Sequence, residues 1–415
     1  MKTSKLPYDA TDVIKLPFGQ KILYHFLILF FRSTGLWRYP VKASGDLETM
    51  KLLDKVYWIY KAAHPIVRAE KYSGLESFFE KQQSHQWKLP PGFTPKEVLS
   101  LSAAGDLMDH PYLKDSADVL YKGVAEQIFG KDISMANLEC VIYSRPTEDF
   151  VLDTNSGPQF CYSSDHLRTA TKHLDRSYTF LAAASNHSLD FEEEGIKSTI
   201  QALHEKGIAF NGLNQSEPES YQATILTKNN FKLGVVSYTF GLNAHRPPKD
   251  KPWIVNRAQL NDELSETDVS RIKKQLDFCK KQETDLNVIQ LHWGFEHELY
   301  PRLSQVKTSH QLAEMGFDII IGHHPHTVQP FEFYQTKRDP FRVVPIYYSL
   351  GNLINPFTAP HLCLSYLAQI DVAKGTMPDG AIKTYVKYAG KLNVIQKVSD
   401  EDKKVRLEIE MGSHN

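Results

Sequence analysis

Three imidazoles fall within four positions in the stretch Ile319-Ile-Ile-Gly-His-His-Pro-His-Thr-Val328. They follow an isoleucine run that reads as a buried strand. A strand's period of two points His324 and His326 the same way if the extension persists, and two neutral imidazoles converging on one spot suit a metal ion. Other strand-like runs also finish on ligand-type residues: "VLSLSAAGD" on Asp106, "ISMANLE" on Glu139, "YTFLAAASNH" on Asn186 and His187, and "LNVIQLHWG" beside His292. The set is two carboxylates, one carboxamide and three or four imidazoles, with no thiolate. Such donors suit Zn²⁺, Mn²⁺ or Fe rather than Ca²⁺ or Mg²⁺ alone. They outnumber what one tetrahedral ion needs, so two ions sharing a carboxylate bridge are expected. Two metals about 3.5–4 Å apart can hold a hydroxide and clamp both the entering and leaving oxygens of a phosphoryl displacement. His187, next to a ligand-type Asn, is placed to protonate the leaving group.

Taken singly, each residue has a plainer role. Asp106 could cap a turn after Gly105, Glu139 could be a solvated strand end, and Asn186 a turn residue. His292 could stack on Trp293. Asp190 reads as the N-cap of a helix rather than a ligand. Asn352, in "LGN", is either a turn residue or a neighbour of the site. His25, His64, His85, His204 and His361 read as structural.

The elements that carry these residues favour the joint reading. From Glu97 onward, apolar strands alternate with helical patterns over Ser116–Phe129, Asp165–Leu174, Asp190–Gly207, Asp268–Lys281 and Val306–Gly316. Val/Ile-rich strands with helical crossovers imply a parallel sheet. In open α/β sheets the crevice outside the carboxyl ends of the strands is where ligands bind. Segments distant in sequence would therefore deliver their polar ends to one place. Later strands at Val328–Tyr334, Arg342–Tyr348 and Leu364–Val372 alternate and read as antiparallel. Before them, a helical, aromatic-rich block runs to about Pro91, and "LPPGFTP" (Leu89–Pro95) reads as a linker. The division expected is 1–95 helical segment and linker, 96–375 main domain, and 376–415 β-rich tail.

Composition sets the outer bounds. The chain has 415 residues, 41% hydrophobic and 23% charged, enough for a globular α/β domain with a sizeable core. A net charge of −1 without a basic run argues against nucleic acid as a partner. Cys140, Cys161, Cys279 and Cys363 are scattered and form no thiolate metal motif. No secretory signal is read at the start. The apolar run Ile22–Phe31 falls short of the ~20 residues of a membrane span. It is expected as a buried helix, with an interfacial helix as the alternative because Lys21, Arg32, Trp37 and Arg38 flank it. A cytoplasmic or membrane-peripheral protein follows.

The motifs "AAGDLM", "ANLEC", "ASNHSLDFEEEG", "LHWGFEHE", "IGHHPHTVQP" and "YYSLGNLINP" together resemble the CapA family of bacterial capsule (poly-γ-glutamate) synthesis proteins. That family is similar in fold and metal motifs to the calcineurin-like metallophosphoesterases. The resemblance spans roughly Val98 to Phe357. It implies a four-layer α/β/β/α sandwich behind the helical N-terminal segment. It also implies Asp106 on one metal, Glu139 as the bridging carboxylate, Asn186, His292 and either His323 or His324 on a second metal, and His326 back on the first. His187 would be the acid, with a metal-bound hydroxide attacking a phosphoryl or acyl centre. Asn137 would orient Glu139, and Glu296 would support an imidazole. An anionic polymer or small-molecule substrate is implied, along with membrane-associated synthase subunits as partners. A non-catalytic accessory subunit and a general metallophosphatase are the alternatives. Where phosphoesterases carry Asp-x-His on the first strand, this sequence has Met108, and their bridging Asp is here Glu139. Occupancy of both metal positions hangs on that difference, with Asp109 or His110 as the substitutes at hand.

Overall fold

The protein, described by a computed structural model over residues 6–13, 18–82, 87–143, 152–153 and 157–410, is a mixed α/β structure built on two large sheets. His85 lies outside the described residues.

The first sheet begins with β1 (Thr94–Leu107), whose neighbours on one side are the parallel strands β2 (Ile133–Leu138), β3 (Phe180–Ala182) and β4 (Ala209–Asn211). The second sheet runs from β5 (Thr224–Lys228) and β6 (Phe231–Thr239) to β7 (Leu286–His292) and β8 (Ile319–His323). It ends with β9 (Phe331–Gln335) and β10 (Val343–Tyr347), β10 pairing parallel with β8 and antiparallel with β9. The chain then returns to the first sheet. There β11 (Asn352–Ile354) lies parallel to β1, while β12 (Leu364–Thr376), β13 (Ile382–Ser399) and β14 (Lys404–Ile409) extend the sheet antiparallel. Residues 382–409 thus share the sheet that carries Asp106. Parallel pairs form among the strands read with helical crossovers, but β10, in the segment read as antiparallel, also pairs parallel with β8, and β11 adds a further parallel pair with β1.

Why these runs are strands is visible in their burial. Leu99, Leu101, Ile133, Phe180, Val235, Val288, Ile319 and Ile321 join in one buried cluster drawn from both sheets. The opposite faces bury Ile128, Leu167 and Leu203 beside the first sheet and Ile272, Leu312 and Phe79 beside the second. The helices doing this include α5 (Ser164–Thr171), α6 (Glu192–Lys206), α7 (Glu266–Lys281) and α8 (Leu303–Met315). Ser265 and Asp268 close a capping box at the start of α7, and Gly207 ends α6 in the left-handed region.

Two expectations change. The helix read over Ser116–Phe129 is reduced to α4 (Ala125–Phe129), because the chain before it turns to bury Leu120 and Tyr121 instead of holding one helical stripe. The linker reading of Leu89–Pro95 holds only to Phe93: Thr94 and Pro95 open β1, and a proline at the first residues of a strand forfeits little pairing.

Ahead of β1 stand α1 (Phe18–Thr34), α2 (Leu52–Ala63) and α3 (Leu75–Gln82). The run Ile22–Phe31 is helical as read, but it is not buried all round. Tyr24, Leu27, Ile28 and Phe31 pack towards Trp37, Tyr57 and Tyr60, whereas Ile22, Leu23, Phe26, Leu29 and Phe30 are exposed. No helix among the described residues is long and apolar enough to cross a membrane.

Candidate metal centre

The site forms where the parallel strands of both sheets end. In the first sheet Asp106 of β1 lies opposite Asn137 of β2, and in the second His292 of β7 lies opposite His323 of β8. The glycine before Asp106 and the one before His323 share a purpose. A Cβ on Gly105 would collide with the Gly351 carbonyl, and one on Gly322 with the Tyr348 carbonyl. Only glycine lets those backbones approach. The Asp106 amide then donates to Gly351 O at 3.0 Å.

Beyond β8 the chain leaves the extended region at once. His324 has φ +94° and His326 φ +58°, so the two imidazoles reach the site through left-handed backbone and not through continued extension. The two rings do meet in one group of possible ligands, but not by the continued extension that the strand period assumed. Non-glycine residues held there are strained, and such strain tends to mark working sites.

Three groups of possible ligands interlock, the atoms of each lying within 4.8 Å of one another: Glu139, His292 and His324; Asp106, Glu139 and His326; and Glu296, His324 and His326. His323 belongs to none of them. Its Nε2 meets Gln290 Oε1 at 3.0 Å and its Nδ1 lies 3.3 Å from Asp106 Oδ1, so it braces that carboxylate. Asn186 enters through His292, its Oδ1 standing 2.8 Å from His292 Nε2, while Glu139 Oε1 lies 3.6 Å from the same nitrogen.

The residues fit a divalent cation on a direct observation. Both carboxylate oxygens of Glu139 and both ring nitrogens of His324 are buried without a hydrogen-bond partner. Leaving a buried polar group unsatisfied costs about 1–3 kcal/mol, and more for a charged one. Native proteins rarely tolerate four such atoms together. Burial pushes the Glu139 carboxyl well above its ordinary range, and Asp106 adds to the effect. Burial drives His292 and His324 well down, leaving neutral imidazoles. Asp106 goes the other way: His323 and His326 outweigh its burial and hold it well below the usual carboxylate range. His326 is also buried, yet Glu139 and Asp106 push it up to about 10. The centre is thus a packed array of strongly interacting carboxylates and imidazoles with buried, unmatched polar atoms.

Some assigned roles shift. Asn137 does not orient Glu139; facing Asp106 across the β1–β2 register, it donates to Asp106 Oδ1 at 2.9 Å and reaches His292 Nδ1 at 3.2 Å. Asp190 is not a cap: the N-cap position is Phe191, and Asp190 Oδ2 accepts from the Phe160 amide and pairs with His187 Nδ1, each at 2.8 Å. Asn352 is a neighbour of the site, its Oδ1 accepting from His326 Nδ1 at 2.9 Å. Met108 is buried in the apolar cluster of the first sheet. Neither substitute joins the three groups: Asp109 lies 2.9 Å from His166 Nδ1, and His110 Nδ1 accepts from the Tyr112 amide.

Sequence reading passed over Asn243 and Trp58. Asn243 links the acid candidate to the centre, its Oδ1 accepting from Asn186 Nδ2 at 3.1 Å and its Nδ2 standing 3.4 Å from His187 Nε2. Trp58 of α2 donates its indole N–H to Glu296 Oε2 at 2.7 Å. Nothing in their local sequence flags either one. The Asp190 role did leave a signal, because its three-residue spacing from His187 matches a compact turn.

Against known proteins, the family model described as bacterial capsule synthesis protein PGA_cap matches residues 100–356. The chain belongs to that family. All five strand ends that build the centre lie inside the matched span. Among curated relatives, the capsule biosynthesis protein CapA of Bacillus anthracis is 24% identical over 62% of this chain and 60% of its own length. The PGA biosynthesis protein CapA of Bacillus subtilis (strain 168) is 26% identical over 62% and 63%. A probable polyglutamine synthesis accessory protein of Mycobacterium tuberculosis (strain ATCC 25618 / H37Rv) is 24% identical over 47% and 52%. The match to the two CapA proteins therefore spans about three fifths of their length. The segment carrying α1–α3 precedes the PGA_cap match.

Proposed function

We propose that this chain acts in capsule or poly-γ-glutamate assembly as a metal-dependent hydrolase or transferase. The observation that carries the reading is the interlocked set of Asp106, Glu139, His292, His324 and His326, with lone pairs buried and unmatched. The two sheets and their flanking helices are read as the four-layer α/β/β/α arrangement of metallophosphoesterases. Residues 96–375 are its main unit, with 1–95 as a helical segment and 376–415 as a β-rich tail.

Asp106, Glu139 and His326 would hold one divalent cation, and Glu139, Asn186, His292 and His324 a second, with Mn, Zn or Fe the matching elements. When bound, such ions supply Lewis acidity and an activated water. The rest falls to the chain. Asn137 holds Asp106 and His292 in one orientation, and His323 Nδ1 lies against the same Asp106 oxygen at 3.3 Å. Asp190 accepts at His187 Nδ1, which leaves Nε2 to carry the proton to a leaving group, and Asn243 keeps that edge turned towards Asn186.

An anionic polymer or a small acidic molecule is the substrate class that the family names suggest. For location, we take the exposed face of α1 to lie on an anionic membrane surface. Val13–Gly45 contains five basic residues and no acidic one. An exposed apolar stripe with basic flanks suits that interface.

A second reading, an accessory subunit without catalysis, draws on Met108 and on the word accessory in the mycobacterial relative's name. The experiment is to measure bound metal and turnover of phosphomonoesters, phosphodiesters and γ-glutamyl peptides by wild type, Asp106→Ala and His326→Ala. Metal-dependent turnover lost in both variants is expected. Full metal loading with no turnover on any substrate favours the accessory reading, and unchanged turnover in the variants removes this centre from the chemistry.

A further inference from the structure

Glu296 has no assigned place in the metal set, and the first strand lacks an imidazole because Met108 points into the apolar core. We infer that Glu296 supplies the missing ligand, and that Trp58, outside the span of the family match, is the positioning residue that makes it available. This rests on the metal-centre reading above and extends it to a third carboxylate.

The geometry behind the inference has three parts. Glu296 offers a carboxylate oxygen within 4.8 Å of ligand nitrogens on both His324 and His326. His324 belongs to that group, and both its ring nitrogens are buried without a hydrogen-bond partner. Trp58 donates to Glu296 Oε2 at 2.7 Å, an oxygen that also lies 3.7 Å from His297 Nε2, which leaves Oε1 available as a ligand. A neutral indole donor stabilises the ionised carboxylate without bringing a competing positive charge.

The loop that bears Glu296 is pinned from the same N-terminal segment. Lys61 Nζ lies 2.9 Å from Glu298 Oε1, and Arg302 holds both Glu298 oxygens at 2.8 and 3.0 Å. Ile66 pairs its backbone with His297 O and the Leu299 amide, at 2.9 Å each. Residues 58–66 thus fix the loop's position against the centre. Three carboxylates among the donors shift the site towards harder ions, so Mn²⁺ or Fe²⁺ is favoured over Zn²⁺.

The test uses the full chain and Mn²⁺ or Co²⁺ alone. Stoichiometry by elemental analysis, affinity by competition with a chelating dye, and the Co²⁺ absorption spectrum are compared for wild type, Glu139→Gln, Glu296→Gln and Trp58→Phe. Removing an outer partner of a ligand typically weakens metal binding about 10–100-fold. Glu296→Gln is expected to exceed that, or to drop one ion per chain, and to change the Co²⁺ bands. Trp58→Phe is expected to weaken binding by about tenfold with the bands shifted. If Glu139→Gln loses metal while Glu296→Gln and Trp58→Phe bind as wild type with unchanged bands, the Glu296 assignment falls and the centre stands. A loss in Glu296→Gln of only about tenfold with wild-type bands also overturns it. If wild type binds no ion, the centre itself falls. Should Glu296→Gln not fold, Trp58→Phe alone decides on the same spectral criterion.

Discussion

Asp190 Oδ2 stands 2.8 Å from His187 Nδ1 while accepting the Phe160 amide at the same distance. Both residues are almost fully buried, and Phe160 lies edge-on to the imidazole at 4.5 Å between ring centroids. The imidazole therefore has one orientation and one proton-bearing edge. A carboxylate in this position stabilises the imidazolium and fixes the tautomer.

Replacing Asp190 by Asn keeps the size and can keep a contact to Nδ1, but it removes the charge that supports a protonated ring. General acid catalysis contributes about 10²–10⁴-fold, so turnover by Asp190→Asn should fall within that range. Metal content should stay at the wild-type level, because Asp190 contacts none of the three ligand groups. Equal turnover in the variant, measured on whichever substrate the wild type cleaves, removes His187 from the acid role.

A second expectation concerns His110, the histidine two positions after Met108. Burial, aided by His166, pushes its titration down to about 3 from 6.5. The sign follows from linkage: above about pH 6.5 both folded and unfolded chains carry a neutral ring, and stability is complete. As pH falls below that value the unfolded chain takes up a proton that the native ring refuses, so stability drains until about pH 3. His110→Gln should flatten the loss of stability between about pH 6 and pH 4, read from denaturant midpoints. It should also bind as much Mn²⁺ as wild type. Lost metal in His110→Gln would place this ring among the ligands after all.

How much of this was legible before the fold was known depends on what each residue answers to. Asp106, Glu139 and His292 could be read because an apolar strand that stops on a polar residue leaves a local pattern, and parallel strands deliver such ends to one edge. The choice between His323 and His324 was not legible, since it turns on left-handed backbone at His324 and on the distant Gln290. Asn137 was read inside the right motif but given the wrong partner, because cross-strand register decides which side chain it faces. Trp58 was invisible for a different reason. It reaches Glu296 across 238 positions, and nothing in the periodicity of an amphipathic helix distinguishes a tryptophan that packs from one that also donates. The exposed side of α1 was obscured because apolar residues lie all round the helix, and composition cannot say which of two apolar faces finds a partner.

That exposed side yields the last expectation. Phe26 is 71% exposed and Ile22 and Leu29 more than half, at positions i, i+4 and i+7 of a single face. The opposite side is already spent, with Phe31 stacked on Trp37 at 3.5 Å between ring centroids. An apolar face of this kind pays a standing cost in water unless something covers it, and each buried methylene gains about 0.8 kcal/mol. With five basic and no acidic residues over Val13–Gly45, anionic lipid is the partner whose charge matches. The full chain should co-sediment with phosphatidylglycerol vesicles, more weakly with phosphatidylcholine, and less as salt rises. Phe26→Asp combined with Leu29→Asp should abolish the binding while leaving metal content unchanged, since α1 supplies no group to the centre. Equal binding by the double variant, or a wild type that ignores anionic vesicles and instead dimerises through this face in light scattering, would hand the stripe to a second copy of the chain.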